Sequence, residues 1–137
     1  ANHLSLKQME EKYTLCKDKE SLFKLADTLM RQGEYQEAAY ALKQVLQLDP
    51  ENTDARKEKG YCEFMCGNYA LCLEANEKVL KADEKDSYAL GGYALALYRM
   101  GQKKEGLERM WQAIELTGGR DQNLLQDLKF MLANENN

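Results

Sequence analysis

Proline, histidine and excess positive charge are all scarce in this chain, and each scarcity narrows what it can be. One proline in 137 residues argues against a turn-rich β fold and leaves long stretches able to be helical. A single histidine, His3, at the far end of the chain from Cys62, Cys66 and Cys72, offers little from which an acid–base site or a zinc centre is built. Lys and Arg number 19 against 23 Asp and Glu, a formal net charge of −4. The concentrated positive surface that phosphate backbones need is missing, so nucleic acid is not an expected partner. No run approaches the roughly 18 apolar residues of a membrane span, and the N-terminus lacks a charged-then-apolar signal pattern. No glycine-rich phosphate loop is present, nor a serine or cysteine beside a base in a recognised motif. The expectation is a cytoplasmic non-enzyme with no catalytic residues, no cofactor and no metal.

The four cysteines, Cys16, Cys62, Cys66 and Cys72, follow no disulfide-framework spacing, and a domain of this size does not need one. Free thiols in a reducing compartment are expected. Cys62 and Cys66 are i, i+4 on one predicted helix with Cys72 beyond the next turn, which makes three thiolates where zinc takes four ligands. They read as small core residues. The acidic runs Glu10-Glu11 and Asp83 to Asp86 read as solvated helix ends.

What the chain has in abundance is helical periodicity organised by a repeat. Gly33-Glu34-Tyr35 through Leu48-Asp49-Pro50 is echoed from Gly67-Asn68-Tyr69 to Ala82-Asp83 and from Gly101-Gln102-Lys103 to Leu116-Thr117. Gly33, Gly67 and Gly101 stand 34 residues apart without insertion, the signature of stacked repeats. Leu6, Met9, Tyr13 and Cys16 form one stripe of a first helix, with Ser5 and Gln8 spaced as a capping box. Leu22 to Met30 gives the next apolar face, ending at Gly33, where a helix C-terminus favours a left-handed residue. Further helices are predicted over Tyr35 to Leu48, about Asn52 to Cys66, Tyr69 to Ala82, about Asp86 to Met100, and Lys103 to Thr117. Connections of two or three residues make neighbours antiparallel. Asp121 can cap a last helix with Leu124, Leu125, Leu128, Met131 and Leu132 on one side.

A 34-residue hairpin with Leu22, Leu25, Ala26, Leu29, Ala38, Leu42 and Pro50 at these offsets resembles the tetratricopeptide repeat. The third copy keeps the size classes with Leu90, Tyr93, Ala94, Leu97, Gly106 and Met110. The second departs from them, placing Arg56, Lys59, Glu63 and Asn76 where the family packs apolar side chains. Either Lys59 and Glu63 pair within a polar seam, or the middle helices rotate and these side chains reach solvent. Gly91-Gly92 leaves two readings as well: a helix that starts late, near Tyr93, or absent side chains that leave room in a groove.

The resemblance implies an all-α fold, an α-solenoid in which antiparallel hairpins form a right-handed superhelix. The whole chain, 1–137, is expected to be one such domain. Its parts would be an N-terminal helix over 1–18, repeats over 19–52, 53–86 and 87–120, and a capping helix and tail over 121–137. It further implies a protein-interaction scaffold or adaptor, with the first helix of each pair lining a concave groove that receives a peptide or a partner helix. The residues expected there are Phe23, Asp27, Met30, Lys57, Tyr61, Phe64, Tyr88, Leu95, Tyr98 and Arg99. For Met30, Phe64 and Tyr98, each three residues before a turn glycine, packing against a neighbouring repeat is the competing reading. One subtype of the family grips a terminal carboxylate with lysine, asparagine and arginine; Phe23 and Asp27 stand where its first lysine and asparagine would be, so that clamp is not expected. The expected partner is another protein or peptide. Two alternative roles are a secretion or assembly chaperone shielding an apolar client segment, and a self-assembling homo-oligomer in which the Leu6 to Cys16 stripe of one chain fills another's groove.

Overall fold

Each turn glycine of the repeat does what its position requires. Gly33, Gly67 and Gly101 have φ of 77°, 82° and 93°, the left-handed region in which a side chain is strained. The residues that follow close the helix end: Glu34 N–H donates to the Leu29 carbonyl at 2.8 Å and Gln102 N–H to that of Leu97 at 2.9 Å. The computed structural model describes residues 4–13 and 18–134. Among them are eight helices: α1 Leu6–Tyr13, α2 Lys19–Arg31, α3 Tyr35–Leu48, α4 Thr53–Met65, α5 Tyr69–Ala82, α6 Ser87–Arg99, α7 Lys103–Leu116 and α8 Gln122–Ala133. None is long and apolar enough to cross a membrane. The fold is all-α, as the resemblance implies.

The helix starts follow from local chemistry. Ser5 and Gln8 form the predicted capping box, Ser5 N–H donating to Gln8 Oε1 at 2.8 Å and Gln8 N–H to Ser5 Oγ at 3.2 Å. Asn52 and Asp86 accept from the backbone N–H three residues on, and Asp121 accepts from Asn123 and Leu124, satisfying donors that a helix N-terminus leaves orphaned.

The chain divides into two compact units, Ala1–Gly67 and Asn68–Asn137. In the first, α2 and α3 form an antiparallel hairpin with α4 laid against α3. Its core is Leu22, Ala26 and Leu29 with Ala38, Ala39, Ala41, Leu42 and Val45, closed by Ala55 and Cys62. Ala26 and Ala38 are fully buried, and side chains this small let packed helices approach closely. α1 lies on α3, with Met9 and Tyr13 buried and the Tyr13 ring 5.8 Å from Tyr40. Met9 and Tyr13 of that apolar stripe are thus covered within their own unit, while Leu6 is 58% exposed; Cys16 lies outside the described residues.

In the second unit Leu90, Ala94 and Tyr98 of α6 meet Met110, Ala113 and Ile114 of α7 and Leu124, Leu128 and Met131 of α8. A Cβ at Gly106 would sit 2.9 Å from the Ala94 carbonyl oxygen, so α6 and α7 touch through backbone there. α6 begins at Ser87, not near Tyr93: Asp86 caps it, and both glycines lie inside the helix. Their missing side chains leave no open groove space. A Cβ at Gly91 would meet Leu124 Cδ2 at 2.6 Å, and one at Gly92 would meet Asn76 Nδ2 at 2.7 Å.

The polar residues of the second copy do not escape to solvent as a group. Arg56 Nη2 donates to the Pro50 carbonyl at 2.7 Å. Lys59 Nζ lies 3.6 Å from Glu63 Oε1 with little exposure at either end, which is the paired reading. Asn76 is buried on α5; its Nδ2 donates to the Cys72 carbonyl at 3.0 Å and reaches Cys72 Sγ at 3.3 Å. Its Oδ1 has no hydrogen-bond partner.

Candidate interaction faces of the first helices

α2 and α4 carry the candidate residues of the first unit. Phe23 and Met30 are half-buried against the core of the unit, so they contribute packing and only part of their surface. Asp27 lies between them in sequence and is held by Arg31, whose Nη2 is 2.7 Å from Asp27 Oδ2. On α4 the spacing of Asp54, Glu58, Tyr61 and Met65 places them on one stripe. Tyr61 is 41% exposed and Met65 45%, while Lys57 and Phe64 are half-buried. The Tyr61 ring stands edge-on to Tyr35, centroids 5.8 Å apart and planes at 78°, a favourable aromatic geometry that fixes the exposed ring in place.

Glu58 is the residue that sequence reasoning passed over. It is half-buried, and its Oε2 is shut off from solvent without a hydrogen-bond partner. Burial raises its pKa, and the charges of Asp27 and Asp54 raise it further, because each makes the ionised form costlier. The signal was available: Glu58 is three residues before Tyr61, hence on the same helical face.

The second unit separates its candidates. Tyr88 is 52% exposed and Arg99 is exposed, its guanidinium 5.1 Å over the ring of Phe130. Leu95 is half-buried against the core. Tyr98 is buried, and its hydroxyl donates to the Met131 carbonyl at 2.8 Å; for this residue packing is what the structure shows. Phe130, not among the predicted residues, is itself exposed on α8, as is Trp111 on α7, so exposed aromatic surface is not confined to the first helices.

Of the thiols, Cys62 and Cys72 are buried and Cys66 is exposed. Burial first, then the neighbouring Cys66, Glu58 and Glu63, push the Cys62 thiol up to about 12, which leaves it protonated and inert. Among the described residues no three His, Cys, Asp or Glu side chains stand where they could hold a metal ion.

Residues 29–89 match the family model described as tetratricopeptide repeat, and they span the turns at Gly33 and Gly67, Pro50 and α3 to α5 just described. Over that stretch the chain is similar to the tetratricopeptide-repeat family. Solved structures with the same fold include MamA from Desulfovibrio magneticus RS-1, 28% identical with a TM-score of 0.77 over 96% of this chain and 74% of that one. The tetratricopeptide domain of Sgt2 from Aspergillus fumigatus is 22% identical, TM-score 0.75, over 84% and 77%. The first such domain of Spaghetti (RPAP3), solved bound to the HSP90 peptide SRMEEVD, is 14% identical, TM-score 0.73, over 97% of both chains. No curated protein matches the sequence. The three-copy repeat read from glycine spacing is therefore a tetratricopeptide array in fold, with the second copy's irregularities built into it.

Proposed function

We propose that this tetratricopeptide protein is an interaction scaffold, not an enzyme, and that it binds a peptide segment or a partner helix on the faces of its first helices. The observation that carries the reading is Tyr61: a large aromatic side chain 41% exposed yet braced edge-on by Tyr35. A ring already fixed loses little freedom on contact, and aromatic anchors of this kind supply most of the energy at interfaces. Phe23, Asp27, Met30, Lys57 and Phe64 complete the candidate face of the first unit, and Tyr88, Leu95 and Arg99 that of the second. The fold's use in the RPAP3 domain, which holds an HSP90 peptide, supports a peptide as the ligand class. Phe23 and Asp27, at the places of the clamp's lysine and asparagine, disfavour a ligand that ends in a chaperone-type carboxylate.

The test begins with the immobilised chain and host lysate, the recovered proteins being identified by mass spectrometry, followed by titration of the purified partner. Tyr61→Ala combined with Phe64→Ala is expected to weaken that partner by at least about tenfold, the loss typical of removed anchors, with helicity intact by circular dichroism. An unchanged affinity would move the site off this face.

A further inference from the structure

The face on α2 and α4 is not electrically neutral, and its charges are unevenly satisfied. Asp27 has Arg31 at 2.7 Å. Glu58 has no such partner for Oε2, which is shielded from water, while the charges acting on it come from Asp27 and Asp54, both of its own sign. A carboxylate in that position has lost hydration at Oε2 with no hydrogen bond to that oxygen in exchange. Beside it on the same stripe stand Tyr61 and Met65, both substantially exposed, with Tyr35 bracing Tyr61. An apolar contact surface thus adjoins a negative site that lacks a cation.

We infer that the occupant of this face is a peptide segment of another protein bearing a lysine or arginine next to a large apolar residue, the cation pairing with Glu58 and the apolar side chain resting on Tyr61. The inference rests on the scaffold reading above and narrows it to one partner chemistry. Charge complementarity decides the sign: an acidic segment would add a further like charge beside Asp54 and Glu58, whereas a cation at the exposed part of Glu58 offsets their repulsion. An arginine suits the site further because its planar head stacks on an aromatic face while donating to a carboxylate.

The experiment is unbiased selection of phage-displayed random peptides on the full chain, followed by fluorescence anisotropy with the best synthetic peptide. Lysine or arginine adjacent to Leu, Met, Phe or Trp is the expected consensus. Glu58→Gln, nearly the same in shape, is expected to weaken the peptide about tenfold, as is replacing its cation with norleucine or citrulline. Raising the salt concentration is expected to weaken wild type more than the variant. Glu84→Gln, an exposed acid of the other unit, leaves affinity unchanged. Peptides that bind tightly but carry no cation, or carry Asp or Glu instead, overturn the inference and leave the scaffold reading standing. So does an undiminished affinity in Glu58→Gln. A selection that enriches nothing overturns both.

Discussion

Gly92 and Asn76 should behave as one unit under mutation, and a double-mutant cycle measures this directly. Alanine at a helix interior is worth roughly 1 kcal/mol over glycine, so Gly92→Ala would stabilise a free helix. In the folded chain the new methyl would lie 2.7 Å from Asn76 Nδ2 and 3.2 Å from its Cγ and Oδ1. Asn76 is 2% exposed, and Nδ2 is tied to the Cys72 carbonyl and thiol, so the amide cannot swing aside without losing those bonds. Overpacking of this kind costs about 1–3 kcal/mol and a broken hydrogen bond about 1 more, for a net loss of about 1–3 kcal/mol after the helix gain. Asn76→Ala removes a bond but also the unpartnered Oδ1, and leaves a small void costing about 1–2 kcal/mol. In the double variant the methyl at position 92 enters the space the amide left, so the helix gain is realised. The double should be more stable than the sum of the singles by at least about 1 kcal/mol. Urea unfolding followed by far-UV circular dichroism gives the four stabilities; agreement with simple addition to within about 0.5 kcal/mol would refute the reasoning.

Three further outcomes follow from individual groups. Glu58 has its pKa raised by burial and by Asp27 and Asp54 above the ordinary value of 4.5, so between the two values the folded state binds more protons and stability falls as pH rises. Glu58→Gln should therefore stabilise the chain at pH 7, with the advantage shrinking as pH falls from the raised folded value toward 4.5 and absent below it; thermal melts that show no gain at pH 7 would count against the buried, uncompensated carboxylate. Iodoacetamide at neutral pH should label Cys66, which is exposed, and spare Cys62 and Cys72 until urea is added, as read by peptide mass spectrometry; equal labelling of Cys62 in the native chain would contradict its burial. Tyr98→Phe deletes the hydroxyl that donates to the Met131 carbonyl and should cost about 1 kcal/mol, with faster amide exchange concentrated in α8; a uniform change across all helices would show that the bond does not hold α8.

What was legible in the sequence was whatever depends on neighbours within a few residues. Helix bounds at Tyr35–Leu48 and Tyr69–Ala82 coincide with the periodic segments because the turn glycine before each and the Asp after it act locally. The capping box at Ser5 and the cap at Asp121 are equally short-range. What was not legible depends on groups far along the chain. Tyr98 sits at a groove-like position by helical spacing, but its hydroxyl finds Met131, on a helix outside the repeats. Gly91 is small because of Leu124, and Gly92 because of Asn76; no window of sequence holds both members of either pair. The late helix start near Tyr93 was the natural inference from propensity alone, and tertiary contact overrode it. Glu58 is different, since its spacing from Tyr61 was in plain view and only its unmet hydrogen bonding had to be seen in three dimensions.

The departures from the repeat pattern also turn out to be related to one another. An asparagine replaces an apolar residue in the second copy, and the glycine that makes room for it is in the third. Lysine and glutamate replace two apolar residues of α4, four positions apart, and pair with each other. Drift would scatter such changes without regard to contact; here Asn76 meets Gly92 and Lys59 meets Glu63, while Arg56 is held by the Pro50 carbonyl. Glu58 is not one of these departures, and its Oε2 finds no hydrogen-bond partner within the unit; if the proposed basic peptide binds, the carboxylates beside Tyr61 are what would set this surface apart from other tetratricopeptide surfaces.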